Sequence, residues 1–126
     1  MKLETATELT RVADEFGVEL PATNKYFQRL KKTTTFIRVD GHPDGIEKEN
    51  YEIIKRYTTD ELLEWLPAII YYGNETLFLT LGKLANKYVA YYRSGSEISI
   101  YVNGDDTPSE ALSLLAIELI TNKVIK

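Results

Sequence analysis

Two helix-start signals bracket a run in which apolar residues recur at every second position. That alternation limits the fold more than any other feature of the chain. Thr58-x-x-Glu61 and Thr107-x-x-Glu110 are capping-box patterns, in which threonine accepts from an orphan N–H and glutamate reaches back to the cap. Pro108 strengthens the second, because a proline at the first helical position loses no hydrogen bond. Between them, Leu77, Leu79 and Leu81 alternate with Phe78 and Thr80, and residues 87–93 are rich in tyrosine and valine. Ile98, Ile100 and Val102 then alternate with Ser99 and Tyr101. Turn residues separate the runs at 82–86 and at Ser94-Gly95-Ser96. Period two with short turns predicts a three-stranded antiparallel meander. The expected fold class is therefore α+β, a helix–β–β–β–helix unit with both helices on one face of the sheet.

The helices are read from their stripes. After a third box, Thr5/Glu8, the residues Leu9, Val12, Ala13 and Phe16 share a face, and Gly17 supplies a stop. After Thr58, Leu62, Leu63, Trp65 and Leu66 form the stripe and Pro67 closes it. After Thr107 the stripe is Ala111, Leu112, Leu115, Ala116, Leu119 and Ile120, with Leu114 and Ile117 lying away from it. A helix apolar on nearly two sides requires a second layer or a partner. The expected core is Leu62, Trp65, Leu66, Leu77, Leu79, Ile98, Ile100, Leu112, Leu115 and Leu119.

With 126 residues the chain has the length of one domain. Residues 1–45 read as an N-terminal helix and hairpin-like extension, and 46–126 as the helix–meander–helix unit. The turn-rich Asp40-Gly41-His42-Pro43-Asp44-Gly45 separates them. Residues 26–30 pair with a β-branched strand at 34–39 through Lys31-Lys32-Thr33. Residues 49–57 fit a strand or a short helix equally.

Composition excludes chemistry rather than assigning it. There is no cysteine, hence no thiol nucleophile, disulfide or zinc thiolate site. The single histidine, His42, stands between Asp40 and Asp44. A metal site or an oriented base would use such residues, but no second histidine supports it and Asp-Gly is ordinary turn chemistry. Asp105 and Asp106 are better explained as acids before a helix start than as a cation site. No phosphate loop or nucleophile arrangement is present. The expectation is no catalytic residue, no metal and no cofactor.

Surfaces carry more information. Lys25, Arg29, Lys31, Lys32 and Arg38 form a basic patch interleaved with Tyr26, Phe27 and Phe36, a mixture suited to single-stranded nucleic acid. The net charge of −4 argues against that use, and charges on an edge strand also prevent aggregation. Nine tyrosines are present. Some follow from strand propensity, but tyrosine also gives large contact area at small entropic cost. Adjacent strand residues point to opposite faces, so Tyr91 and Tyr101 are expected on the open sheet face. With Leu114 and Ile117 on the last helix, they are the candidate protein-contact residues.

The order of parts resembles small phage and prophage proteins of unknown function. The likeness lies in Thr58-Thr59-Asp60-Glu61-Leu62-Leu63-Glu64-Trp65-Leu66-Pro67, in Tyr88-Val89-Ala90-Tyr91-Tyr92, and in Thr107-Pro108-Ser109-Glu110-Ala111-Leu112. It implies a mobile-element origin and assigns no functional residue. Residues 104–112 also resemble the strand-to-helix stretch of HicB-type antitoxin domains, which bind a small RNA-cleaving toxin; the DNA-binding tail many of them carry is not expected here. The function expected is that of a non-enzymatic phage accessory protein acting by protein contact or self-association as a homodimer. The alternatives are an antitoxin-like or defence-inhibiting binder and a nucleic-acid module. No secretory leader and no span of about 20 apolar residues is read, so a cytoplasmic location with no membrane partner is expected.

Overall fold

The computed structural model describes residues 1–41 and 51–125. In chain order the elements are α1 (Leu3–Phe16), β1 (Lys25–Leu30), β2 (Ile37–Asp40), β3 (Tyr51–Lys55), α2 (Thr59–Trp65), β4 (Ile69–Tyr72), β5 (Glu75–Leu84), β6 (Lys87–Arg93), β7 (Ser99–Asp105) and α3 (Pro108–Thr121). They make an α+β fold with two antiparallel sheets, ordered β2-β1-β3 and β4-β5-β6-β7.

The meander has four strands rather than three. Its extra strand, β4, comes from the apolar Ile69-Ile70-Tyr71-Tyr72 directly after Pro67. Tyr72 pairs with Glu75 across a two-residue turn that begins with Gly73 at φ +60°. Such a turn suits the twist of a hairpin. At the other end of β5 the ladder runs on through Gly82 to Leu84, so the turn to β6 is only Ala85-Asn86. In the N-terminal part, the expected partnership of 26–30 with the following strand is present as β1 with β2, but the second strand is Ile37–Asp40 rather than 34–39 and the ladder runs only from Lys25↔Asp40 to Gln28↔Ile37. The segment left between strand and helix is the strand β3, and it pairs with the other edge of β1.

The main core is continuous from α1 through α2 and α3 to the sheet. Leu9, Leu62, Leu77, Tyr92, Leu112, Leu115, Leu119 and Ile120 are fully buried within it. Trp65, Leu79 and Ile100 pack against it half-buried. Ile98 does not join it and is 40% exposed. Helix α3 lies across β6 and β7, while α1 and α2 pack against α3. The wide apolar surface of α3 is thus met by helices of the same chain. Tyr92 fastens the connection from α2 to β4, its hydroxyl donating to the Pro67 carbonyl at 2.7 Å.

The three helix starts behave differently. The Thr58/Glu61 box forms in full. At α3, Thr107 Oγ1 accepts from the Glu110 N–H at 3.2 Å, but the Glu110 carboxyl turns away from its own cap. Its Oε1 accepts from the Lys2 N–H at 2.9 Å and its Oε2 from the Thr5 hydroxyl at 2.6 Å. The expected Thr5/Glu8 box is absent for the same reason. Helix α1 begins three residues earlier, with Lys2 at the N-cap in place of Thr5, and Glu110 of α3 caps it from a distance. Glu8 instead pairs with Arg11.

Glu110 is 1% exposed, so its removal strands both a helix N–H and the Thr5 hydroxyl. Glu110→Ala should lower stability by about 2–4 kcal/mol, whereas Thr5→Val should cost about 1 kcal/mol. Urea unfolding of both variants and of the double variant checks this, and additive effects would show that the two side chains do not act together.

Burial also predicts alkaline sensitivity. Tyr57 is 4% exposed, and burial, reinforced by the nearby Glu61 and Asp14 carboxylates, pushes its phenol up to about 12. Burial raises the Tyr92 phenol as well. Above pH 10 the unfolded chain loses these protons while the folded chain keeps them, so stability falls as pH rises. The slope is at most about 1.4 kcal/mol per pH unit per tyrosine. Thermal unfolding between about pH 8 and pH 11 should show the decline, and Tyr57→Phe should make it shallower.

Candidate contact surface

Register assigns every residue of the four-stranded sheet to a face. Leu79 and Leu81 lie opposite Tyr92 and Ala90, and with Leu77 and Ile70 they face the helices. The opposite face carries Ile69 and Tyr71 from β4, Phe78, Thr80, Gly82 and Leu84 from β5, and Val89, Tyr91 and Arg93 from β6. On this face Tyr71 is 79% exposed, Leu84 72%, Phe78 50% and Ile69 44%. Large apolar side chains in contiguous exposed positions mark interaction surfaces more often than single ones do.

Strand β7 departs from simple alternation. Ala90 pairs with Asn103 and Tyr92 with Ile100, so Tyr101 and Val102 together oppose the single residue Tyr91. This is a β-bulge, and Tyr101 occupies it at φ +55°, a conformation costly for a residue with a Cβ. The backbone is held there from α3. Asn103 Nδ2 donates both to the Tyr101 carbonyl at 3.0 Å and to Glu118 Oε2 at 2.6 Å. The extra residue changes the phase of the strand. Tyr101 packs against the core and Val102, 58% exposed, takes the place on the open face.

The four candidate contact residues therefore separate. Tyr91 lies on the open face beside Val102 and lines a shallow trough there. Tyr101 is turned toward the core by the bulge. Leu114 and Ile117 are both half-buried on α3, and Ile117 packs against the core. Sequence reasoning missed Ile69 and Tyr71 because β4 was not recognised, and it placed Phe78 on the alternating strand without naming it as a contact residue. The signal was available: an apolar four-residue run followed by Gly73-Asn74 is a hairpin pattern.

The basic patch is largely committed to its own sheet. Arg29 pairs with Glu52, and Lys25 Nζ lies 3.6 Å from Asp40. Asp40 also pairs with Arg56. The guanidinium of Arg38 lies 5.6 Å from the Phe27 ring centre and that of Arg56 5.8 Å, while Arg29 lies 5.1 Å from Phe36. Phe27 is buried under these cations, which is cohesive packing rather than a stacking platform for bases. Lys31 and Lys32 are exposed in the turn after β1.

The acidic candidates are likewise tied to structure. Asp105 Oδ1 accepts from the Asp106 N–H at 2.6 Å and pairs with Lys2 at 3.1 Å. The backbone N–H, more than the lysine, holds the Asp105 carboxyl below its usual range. His42 and Asp44 lie outside the described residues. Among the described residues no three histidine or acidic side chains converge as metal ligands, and no helix is long and apolar enough to cross a membrane.

The two tyrosines should separate on mutation. Tyr101→Ala removes packing and should cost about 2 kcal/mol, while Tyr91→Ala should cost less than about 1 kcal/mol. Chemical denaturation at low protein concentration measures both, and equal losses would contradict the assignment of faces. Comparison with protein-family models, with curated proteins and with solved structures found no match in any of the three.

Proposed function

We propose that this chain is a non-enzymatic binding protein and that the open face of β4–β7 is its contact surface. The observation that carries the proposal is the continuity of that face. Ile69 pairs directly with Phe78, and Phe78 with Arg93 beside Tyr91. The large apolar side chains thus form one patch, not scattered points. A protein partner suits it better than a nucleic acid, because the face is apolar and the basic residues of the other sheet are engaged by Asp40, Glu52 and aromatic rings. The resemblance of the helix-start motifs to phage and prophage proteins makes an accessory role in a mobile element the natural setting, inside the host cytoplasm.

Site-specific photo-crosslinking in living cells tests the proposal. A photoreactive residue in place of Tyr91 should give a discrete protein adduct. The same residue in place of Glu15, exposed on α1, should give none. Identical adduct patterns at the two positions, or none at 91, would overturn the assignment of this face.

A further inference from the structure

A hollow of about 520 Å³ lies between the C-terminal end of α1, the strand β3 and the segment 18–22 that leads from the helix to the small sheet. That volume is in the range of small-molecule sites. None of its residues belongs to the open face of the four-stranded sheet. The chain that walls it is pinned at Val18, Glu19 and Thr23. The Val18 N–H donates to the Ala13 carbonyl at 2.8 Å, the Trp65 indole N–H to the Glu19 carbonyl at 3.1 Å, and the Thr23 hydroxyl to the Arg56 carbonyl at 3.0 Å. The wall is thus held to α1, to α2 and to the residue after β3.

Tyr57 lines this hollow and is 4% exposed, yet its hydroxyl has no hydrogen-bond partner among the described residues. Buried tyrosine hydroxyls ordinarily find one, as Tyr92 does at Pro67. The Tyr57 oxygen is not sealed away either. Among the described residues Arg29 Nε is the one fully enclosed side-chain polar atom without a partner, so the phenol oxygen opens on the hollow. The Asp14 and Glu61 carboxylates are near enough to raise the phenol, but neither accepts from it. Glu61 is engaged by Thr58 and Thr23. Asp14 has no ion-pair partner among the described residues, because Arg11 is taken by Glu8 and Glu15. It also stands in the last turn of α1, which holds no basic residue. The helix dipole is negative there, so an acid is unfavourable unless a cation meets it. Glu19 adds a second carboxylate, and Lys55, exposed at the β3 side, is the one cation of the lining. We infer that this hollow binds a small organic amine, with its ammonium between Asp14 and the Tyr57 oxygen and its apolar body against Val18, Leu20 and Pro21. An ammonium has three donors and no acceptor, so it serves the carboxylate and the phenol oxygen together. A carboxylate ligand would instead meet Asp14, Glu19 and the negative helix end.

Titration of the isotope-labelled full chain with phenethylamine, followed by amide NMR, tests this. Saturable shifts are expected at Asp14, Val18 and Leu20, with a Kd on the order of 1 mM for a ligand of about nine heavy atoms. Phenethyl alcohol keeps the shape without the charge, and hydrocinnamate reverses the charge. Each should bind at least about tenfold more weakly than the amine. Tyr57→Phe and Asp14→Asn should each weaken the amine at least about threefold. Glu4→Gln removes an equal charge at the far end of α1 and should leave binding unchanged. Asp14 is exposed, so Asp14→Asn decides the matter if thermal unfolding shows that Tyr57→Phe does not fold. The inference is overturned by an alcohol that binds as tightly as the amine, or by folded variants that bind the amine as the wild type does. The absence of saturable shifts up to about 20 mM amine overturns it equally.

Discussion

The placement of α1 over α3 turns on one buried carboxyl. Glu110 stands in the first turn of α3, where an acid suits the helix dipole, yet its oxygens serve the start of α1. The two helix starts are thereby joined at one point despite more than 100 intervening residues. With α1 fixed there, the upper side of α3 is covered and its lower side lies on β6 and β7. Helix α3 then becomes the centre of the core instead of its lid. This also settles which surface is left over. All three helices stand on the inner side of the four-stranded sheet, and the outer side of that sheet receives none of them.

The same helix sets the detail of that outer face. Glu118, two turns beyond Glu110, holds Asn103, and Asn103 holds the carbonyl of the bulged Tyr101. Without the bulge, Ile98, Ile100 and Val102 would share one face, as alternation requires. With it, Ile100 faces the core while Val102 faces outward beside Tyr91. A left-handed tyrosine is costly in isolation; here a side-chain bracket to the backbone and burial of the ring offset that cost.

Much of this was legible in sequence, and the failures share a cause. The helix starts at Thr58 and Thr107, the stop at Gly17, the three strands after Pro67 that alternate clearly and the β1–β2 pairing all follow from neighbouring residues. Local chemistry decides them. Most of the departures depend on distant partners. Glu110 completes a capping pattern with Thr107, and nothing nearby reveals that its carboxyl is claimed by Lys2 and Thr5. The phase of β7 depends on Glu118 in the following helix. The segment at 51–55 joins β1 because that edge was open, a fact that periodicity cannot contain. Strand β4 is the exception. Its hairpin signal was local and was obscured by Pro67 and by the shortness of the run.

The two sheets use their aromatic residues in opposite ways. In the β2-β1-β3 sheet, Phe27 lies beneath the guanidinium groups of Arg38 and Arg56, and Arg29 sits over Phe36 with Glu52 as its ion-pair partner. Charge there serves cohesion of a small sheet with little apolar surface to bury. In the four-stranded sheet, Tyr92 is sealed in the core while Tyr71 and Phe78 are left in water. Stability alone would favour valine or isoleucine at Gly82 and polar residues at Ile69, Phe78 and Val102. Gly82, which gives up strand propensity for space, and Ile69, Phe78 and Val102, which leave apolar bulk in water, depart from that optimum in two opposite directions within one surface.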